Sequence, residues 1–251
     1  MKIAIVTGGS RGLGRNAAVS LGRRGHGVIL TYVRSKKEAD EAVAEIEGSG
    51  AKAAALPLDA SKFASFDSFA GSVAQTLKEK FGCERFDFLV NNAGIGLNVP
   101  FAQTTEAQFD ELMNVHFKGV FFLTQKLLPL MNDGGRIINL SSGLARFSIP
   151  GYSAYASMKG AIEVLTRYLA KELGGRGIAV NTVAPGAIET DFGGGHLRDN
   201  RKLNEMIASQ TALGRLGLPD DIGGLIAALC SEDCRWVNAQ RIEVSGGLGL
   251  L

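Results

Sequence analysis

The run Lys2-Ile3-Ala4-Ile5-Val6-Thr7-Gly8-Gly9-Ser10-Arg11-Gly12-Leu13-Gly14 places a short β-branched segment directly before a glycine-rich turn, after which a helical pattern begins. Glycines at a strand-to-helix turn let the backbone approach a pyrophosphate, and the unpaired N–H groups of the helix start stabilise its charge. Three spacings compete. Counted from Gly9, the run mimics a phosphate loop, but Arg15 and Asn16 stand where the Lys-Ser/Thr pair is required. Nothing would then hold terminal phosphates or magnesium, which argues against a nucleotide triphosphatase. Counted from Gly12, Gly12-Leu13-Gly14-Arg15-Asn16-Ala17 fits the ordinary dinucleotide fingerprint, yet the strand ends several residues too early. Read whole from Thr7, the turn is TGxxxGxG, and its place after the first strand points to dinucleotide binding.

Outward from that turn the chain keeps one rhythm. Short β-branched runs at 2–6, 27–32, 51–58, 86–90, 136–140, 178–183 and 241–244 alternate with helical patterns, among them 36–47, 61–80, 106–131 and 154–173. Strands that alternate with helices build right-handed βαβ units and a parallel sheet covered on both faces. No fixed repeat period and no linker interrupts the series. The expectation is one α/β domain over residues 1–251: a Rossmann-type, doubly wound, seven-stranded parallel sheet with helices on both faces. The irregular stretch 190–215, which carries Gly193-Gly194-Gly195, is expected to form a substrate lid within that domain.

Composition narrows the function classes. The 251 residues are 45% hydrophobic, with 27 basic and 25 acidic side chains, so neither disorder nor a nucleic-acid or anionic-membrane partner is indicated. Glycine is the outlier at 33 residues, against an average near ~7%. No run approaches the ~18 apolar residues of a membrane span, and the first residues lack a secretory leader pattern. Cys83, Cys230 and Cys234 suit neither a disulfide framework nor a zinc site, and read as inert thiols in a cytoplasmic protein. No Ser–His–Asp set or metal-ligand cluster emerges, so no metal is expected. His26, His116 and His196 read as structural or surface residues.

Charge decides the cofactor. An NAD site places a carboxylate at the end of the second strand, whereas an NADP site uses basic groups there. Here that strand runs into Tyr32-Val33-Arg34-Ser35-Lys36, with Tyr32 where the acid would fall. Arg11 in the turn and Arg34 beyond the strand bracket a 2′-phosphate, so NADP(H) is preferred over NAD(H). A second set of signals lies after later strands. Ser142 follows the fifth strand, and the i, i+4 pair Tyr155 and Lys159 shares one helix face. An adjacent cation favours the phenolate of a tyrosine whose unperturbed pKa is near ~10. Tyr155 is then the acid/base for an alcohol or ketone during hydride transfer, and Ser142 orients the same oxygen.

These motifs together resemble the classical short-chain dehydrogenase/reductase family over essentially the whole chain. Residues 7–14 match its cofactor turn, and Asn91-Asn92-Ala93-Gly94 matches its NNAG segment, contributing Asn91, Ala93 and Gly94. Asn114 falls where the family has its catalytic asparagine. Ser142, Tyr155 and Lys159 complete the tetrad, with thirteen residues from Ser142 to Tyr155. Pro185-Gly186-Ala187-Ile188-Glu189-Thr190 fits the PG motif, in which Pro185 and Gly186 would bind the cofactor and Ile188 and Thr190 would face the nicotinamide amide. Asp59, followed by Ala60, matches the residue that hydrogen-bonds adenine. The resemblance implies hydride transfer with Asn114 and Lys159 anchoring a water-linked proton relay.

The chain is also similar to β-ketoacyl-acyl-carrier-protein reductases, which implies a 3-oxoacyl thioester and places Arg176 for carrier docking. Met131-Asn132-Asp133 stands where those reductases are basic, so non-thioester ketones and sugars remain level with thioesters. The candidate pocket is Ile95, Leu97, Leu144, Phe147, Ile149 and Tyr152. Arg198, Arg201 and Lys202 on the lid are candidate anion contacts. A homotetramer is implied, with a dimer as the alternative and residues 236–251 adding to an interface. A non-catalytic NADPH-sensing protein on the same fold is the reading of another class. Glycines 25, 48, 82, 134 and 174 are expected near helix ends in left-handed conformation.

Overall fold

The computed structural model describes residues 1–249; the expected tail residues Leu250 and Leu251, and the side chain of His196, lie outside what is described. Seven strands form one parallel sheet: β1 (Ile3–Val6), β2 (Gly27–Tyr32), β3 (Ala53–Pro57), β4 (Phe86–Asn91), β5 (Met131–Leu140), β6 (Ala179–Pro185) and β7 (Arg241–Val244). Their order across the sheet is β3-β2-β1-β4-β5-β6-β7. The direction of winding reverses between β1 and β4, which opens a crevice beyond the carboxyl ends of those strands. The expected seven-stranded, doubly wound parallel sheet with helices on both faces is therefore present.

Period-two alternation sorts the strands into two cores. Ala4 and Val6 face α1 (Gly12–Arg23), α2 (Lys36–Gly48) and the more distant helix Pro219–Leu229, together with Val28, Leu30, Phe88 and Val90. Ile3 and Ile5 face the other side with Ile29, Phe86, Leu89, Ile137 and Val180. That second face is covered by α3 (Phe66–Thr76) and by a long helix running through α4 (Glu106–Met113), a π-helical segment Asn114–Lys118 and α5 (Gly119–Leu127). It is completed by α6 (Ser153–Leu173). A strand buried on both faces needs apolar side chains at every position, which is why these runs do not alternate with polar residues.

Several boundaries differ from the expectation. The helix expected over 106–131 stops at Leu127, because Pro129 lies in the turn Leu128–Leu130 and cannot continue the α ladder. The strand expected at 136 starts at Met131, which pairs with Phe86 before a register shift between Phe86 and Phe88. Gly25, Gly82 and Gly134 are left-handed as expected, but that role passes from Gly48 to Gly50 and from Gly174 to Gly177. The stretch 190–215 forms a short turn Phe192–Gly195, α7 (His196–Asp199) and α8 (Arg201–Ser209), and α9 (Pro219–Leu229) follows. Among the described residues no helix is long and apolar enough to cross a membrane, and no His/Cys/Asp/Glu group is placed to hold a metal.

Candidate active site

The glycine turn is welded to the strand beside it. The Thr7 hydroxyl donates to the Val90 carbonyl at 3.3 Å and accepts from the backbone N–H groups of Asn92 and Ala93 at 2.9 and 3.0 Å. The Asn92 amide returns across the gap to the carbonyls of Thr7 and Gly8, at 2.9 and 3.2 Å. On the other flank Thr31 accepts from Gly8 N at 3.0 Å through its hydroxyl and from Gly9 N at 2.8 Å through its carbonyl. Gly8 has φ +64°, and a methyl group there would lie 3.0 Å from the Ala93 Cα. Gly14 is tighter still, since a Cβ would enter the Gly8 carbonyl and the Asn92 amide. Gly12, Leu13 and Gly14 begin α1, whose first turn carries no acid and whose cap residue Arg11 makes no side-chain cap bond. Such a helix start, with free N–H groups and no competing carboxylate, fits a pyrophosphate. Ser10 is buried within the same turn.

At the end of β2, Arg34 is exposed and Ser35 caps α2. Neither Arg11 nor Arg34 has a protein acceptor among the described residues. Across from them Asp59 accepts from Ser61 N and Oγ at 3.0 and 2.7 Å. Partial burial would raise its pKa, but those bonds and the charges of Lys62 and Arg34 hold it below the ordinary carboxylate value. Ala60 follows, buried, with its carbonyl against Gly119 at the start of α5. The Arg34 guanidinium, with this anchored acid within reach of its charge, suits the ribose and adenine end of a 2′-phosphorylated dinucleotide.

The tetrad candidates converge from three elements. Ser142 follows β5 and caps the turn Gly143–Ala145, its hydroxyl accepting from Leu144 N at 3.2 Å. Tyr155 and Lys159 lie one turn apart on α6, both buried. The Lys159 ammonium donates to the Leu140 carbonyl at 2.7 Å and sits 5.7 Å from the centre of the Tyr155 ring. Burial pushes the Tyr155 hydroxyl above its ordinary pKa, while its contact with Ser142 acts in the opposite direction. Burial also draws Lys159 down to about 7. Burial thus favours the neutral form of both groups. Asn114 opens the π-helical segment, which packs on α6, and its carbonyl accepts from Gly119 N five residues on. Single π turns inside α-helices are frequent at functional sites.

Over this group comes the segment after β6. Gly186 N donates to Val244 O at 3.0 Å, Ile188 is buried and bridges to Gly217, and Thr190 stands closest to Gly12. Phe192 then turns back, with its ring 6.0 Å from that of Tyr155 and its edge against Gly96. Ile95, Leu97, Leu144 and Tyr152 pack around Tyr155, Leu112 and Met158. Of the remaining pocket candidates, Phe147 leans on Gly143 and Gly249, and Ile149 is exposed.

Several candidates take different posts. Asn91 lies below the crevice, its amide donating to Thr124 Oγ1 at 3.1 Å and Asn139 Oδ1 at 2.9 Å, which ties β4 to β5. Arg198 pairs with Asp191 and Asp199, and Arg201 with Glu205, so both arginines serve carboxylates of the same 190–215 stretch. Arg176 binds Asp133 at 2.7 Å and the carbonyls of Leu128 and Met131 at 3.2 and 2.6 Å. His26 is half-buried, edge-on to Phe88, and burial beside Lys2 lowers its pKa. His116 is buried with its ring edge-on to Tyr155 at 5.2 Å and Nε2 2.7 Å from the Ile95 carbonyl. Asn92, Phe192 and His116 are thus site residues that spacing did not reveal. Only Asn92 left a trace, inside a motif whose neighbours drew the attention.

A glycine-rich strand-to-helix turn, a half-buried serine beside a buried tyrosine–lysine pair, and one doubly wound parallel sheet define a dinucleotide-dependent oxidoreductase. Residues 8–249 match the family model described as enoyl-(acyl carrier protein) reductase. The hydroxynaphthalene reductase-like protein Arp2 of Metarhizium majus is 35% identical over 257 residues, covering 98% of this chain and 94% of that protein. Among solved structures, the reductase LugOII, described as catalysing keto-reduction at C1 in lugdunomycin biosynthesis, superposes with a TM-score of 0.93 at 38% identity. The match covers 98% of this chain and 97% of that one. The angucycline C-6 ketoreductase LanV with bound NADP gives 0.94 at 36% identity, covering 100% and 96%. This chain belongs to the short-chain dehydrogenase/reductase family.

Proposed function

We propose that this protein is an NADPH-dependent ketoreductase acting on a ketone carried by a flat aromatic or polycyclic body. The observation that carries the reading is the Tyr155 hydroxyl, protonated by burial and set among Phe192, Tyr152, Ile95, Leu97 and Leu144. Aromatic rings favour offset or edge contacts with one another, so these side chains favour a planar ring-bearing ketone over a flexible acyl chain. The chemistry NADPH supplies when bound is a hydride for the carbonyl carbon. Gly8, Gly12, Leu13 and Gly14 would hold its pyrophosphate, Arg11, Arg34 and Ser35 its 2′-phosphate, and Asp59 and Ala60 its adenine. Ala93, Gly94, Pro185, Gly186, Ile188 and Thr190 would line its nicotinamide.

The chain's own residues handle the oxygen and the proton. Ser142 orients the carbonyl oxygen, and Tyr155 donates its proton as negative charge grows there. Lys159, held at the Leu140 carbonyl, favours the phenolate that remains, and Asn114 anchors its route back to a proton. LugOII is described as catalysing keto-reduction in lugdunomycin biosynthesis, LanV as an angucycline C-6 ketoreductase and the Metarhizium relative as hydroxynaphthalene reductase-like, which supports the same reaction and a ring-bearing substrate. A carrier-bound thioester is less favoured, because Arg176 is committed to Asp133 and two carbonyls. Exposed Phe121, Phe122, Val164 and Tyr168 on α5 and α6 support a homotetramer assembled on those helices. The segment 190–215 acts as the lid, pinned to the site by the bond from Asn204 to Glu189 at 2.8 Å.

A substrate panel followed by NADPH absorbance tests this. 1-Tetralone and fused-ring quinones are expected to give higher kcat/KM than acetoacetyl thioesters or short ketones. Tyr155→Phe should lower kcat about 10²–10⁴-fold, the range for general acid catalysis. Arg34→Asp should move the preference toward NADH. Thioester turnover with no reduction of fused-ring ketones would overturn the substrate reading. A Tyr155→Phe enzyme of full activity would overturn the mechanism.

A further inference from the structure

The serine loop after β5 is held by charges that come from the last strand. Arg241 on β7 donates from Nε to Glu163 Oε1 at 2.7 Å, from one terminal nitrogen to Glu243 Oε2 at 3.0 Å, and from the other to the Ser142 carbonyl at 3.3 Å. Glu163, one turn beyond Lys159 on α6, also accepts from Ser141 Oγ at 2.7 Å. The same Ser141 hydroxyl reaches the Lys159 carbonyl at 3.2 Å. Glu243 in turn pairs with Arg146 at 3.1 Å and accepts from Ser245 Oγ at 3.0 Å. The loop is thus pinned at Ser141, at the Ser142 carbonyl and at Arg146, all through one guanidinium and its two carboxylates.

That arrangement exceeds what joining β7 to the sheet requires. The ladder between β6 and β7 already does that, with Thr182 paired to Arg241 and Pro185 to Val244. The side chains of Arg241, Glu163 and Glu243 are only 15–23% exposed, so solvent screens them weakly. A guanidinium fixes direction as well as charge, because its donors form a rigid fork. Two of the atoms it orients, directly or through Glu163, flank the peptide that carries the Ser142 hydroxyl.

We propose that Arg241, acting through Glu163 and Glu243, is a positioning residue that sets the orientation of Ser142 against Tyr155. The proposal rests on the reading of Ser142 given above. Removing the fork should leave the dinucleotide site intact, since none of its contacts touches the glycine turn. It should loosen the loop whose amides bond back to Ser142 and Gly143: Leu144, Ala145, Arg146 and Phe147.

The test compares Arg241→Met, Arg241→Lys and Glu243→Gln, with Lys2→Met as a control that removes the exposed pair with Glu232. Amide hydrogen exchange is read without substrate. In Arg241→Met, residues 144–147 should exchange about 10-fold faster or more, while the amides of β1 and α1 keep their protection. With 1-tetralone or 9,10-phenanthrenequinone, kcat should fall about 10-fold or more, with the NADPH Kd within about twofold of wild type. Arg241→Lys keeps one ion pair and loses the fork, so it should fall between, and it serves as the reference if the Met variant fails to fold. Glu243→Gln should loosen Arg146 and Phe147, and Lys2→Met should change nothing. Unchanged exchange at 144–147 in both Arg241→Met and Glu243→Gln overturns the proposal whatever the activity does. Faster exchange with unaltered kcat overturns it too. A wild type that reduces neither ketone counts against the proposed function, while the exchange result still decides the role of Arg241 in holding the loop.

Discussion

Replacing Gly14 with alanine puts a single methyl where the glycine turn meets the strand beside it. The added Cβ would lie 2.9 Å from the Gly8 carbonyl carbon and closer still to its oxygen and to the Asn92 amide nitrogen. Relief requires moving both groups, which breaks the bonds from Asn92 to Thr7 O and Gly8 O. Two such bonds are worth about 0.5–1.5 kcal/mol each, and forced overpacking adds about 1–3 kcal/mol. The combined cost is about 2–6 kcal/mol, shared between folding and the turn's fit to a pyrophosphate. If only ~2 kcal/mol falls on binding, NADPH affinity drops about 30-fold. Gly12→Ala is the matched comparison: its Cβ would meet nothing nearer than Thr190 at 3.9 Å, leaving only the strain of φ +56°. That strain is about 1–2 kcal/mol, or about 5–30-fold in affinity. Titrating NADPH fluorescence against both variants, with unfolding temperatures measured alongside, gives the order directly. Gly14→Ala binding within about threefold of wild type, or Gly12→Ala binding more weakly than Gly14→Ala, would refute the steric account of the cradle.

Two further outcomes concern stability. Ala239 has φ +60°, the one left-handed non-glycine residue described, with its N–H donating to the Val180 carbonyl at 2.9 Å. Ala239→Gly removes about 1–2 kcal/mol of strain and returns about 0.4–1 kcal/mol through the freer unfolded chain. The variant should gain up to about 1.6 kcal/mol, or up to about 3–6 °C in Tm for a chain of this size, and a lower Tm would count against the strain. His116 is held at a pKa of about 3, first by burial and then by the Lys159 charge. The unfolded chain takes up a proton near pH 6.5 that the folded chain refuses, so stability is lost as pH falls from about 6.5 toward 3. The slope from this group reaches about 1.4 kcal/mol per pH unit. Urea unfolding at pH 7 and pH 5 should show the wild type losing about 2 kcal/mol more than His116→Phe, and equal losses would refute the assignment.

The sheet was legible because each strand is an apolar run with its own turn, and the glycine spacing located the crevice. Tyr155 and Lys159 were legible because a helix turn converts sequence distance directly into adjacency. The remainder depended on contacts between distant segments. Asn91 and Asn92 are consecutive, yet the strand pleat sends one amide into the sheet and the other across the crevice. Arg176 looked like a docking cation until the fold brought Asp133 and two carbonyls to it. His116 carried no spacing signal at all, since its meaning lies in Tyr155 and Ile95.

The division of the interior into two cores bears on how such a scaffold diversifies. The layer behind the glycine turn is built from Ala4, Val6, α1, α2 and α9, whereas Tyr155, Lys159 and Asn114 stand on helices across the sheet. Substitutions that reshape the surroundings of Tyr155 from α4 and α6 therefore need not disturb the packing behind the glycine turn. Distant, non-contacting sites contribute nearly additively, so mutational drift on one storey is not taxed by the other. A gene copy of such a protein can explore new substrates while its reductant supply stays fixed, which makes the sheet itself an insulator between two evolutionary tempos.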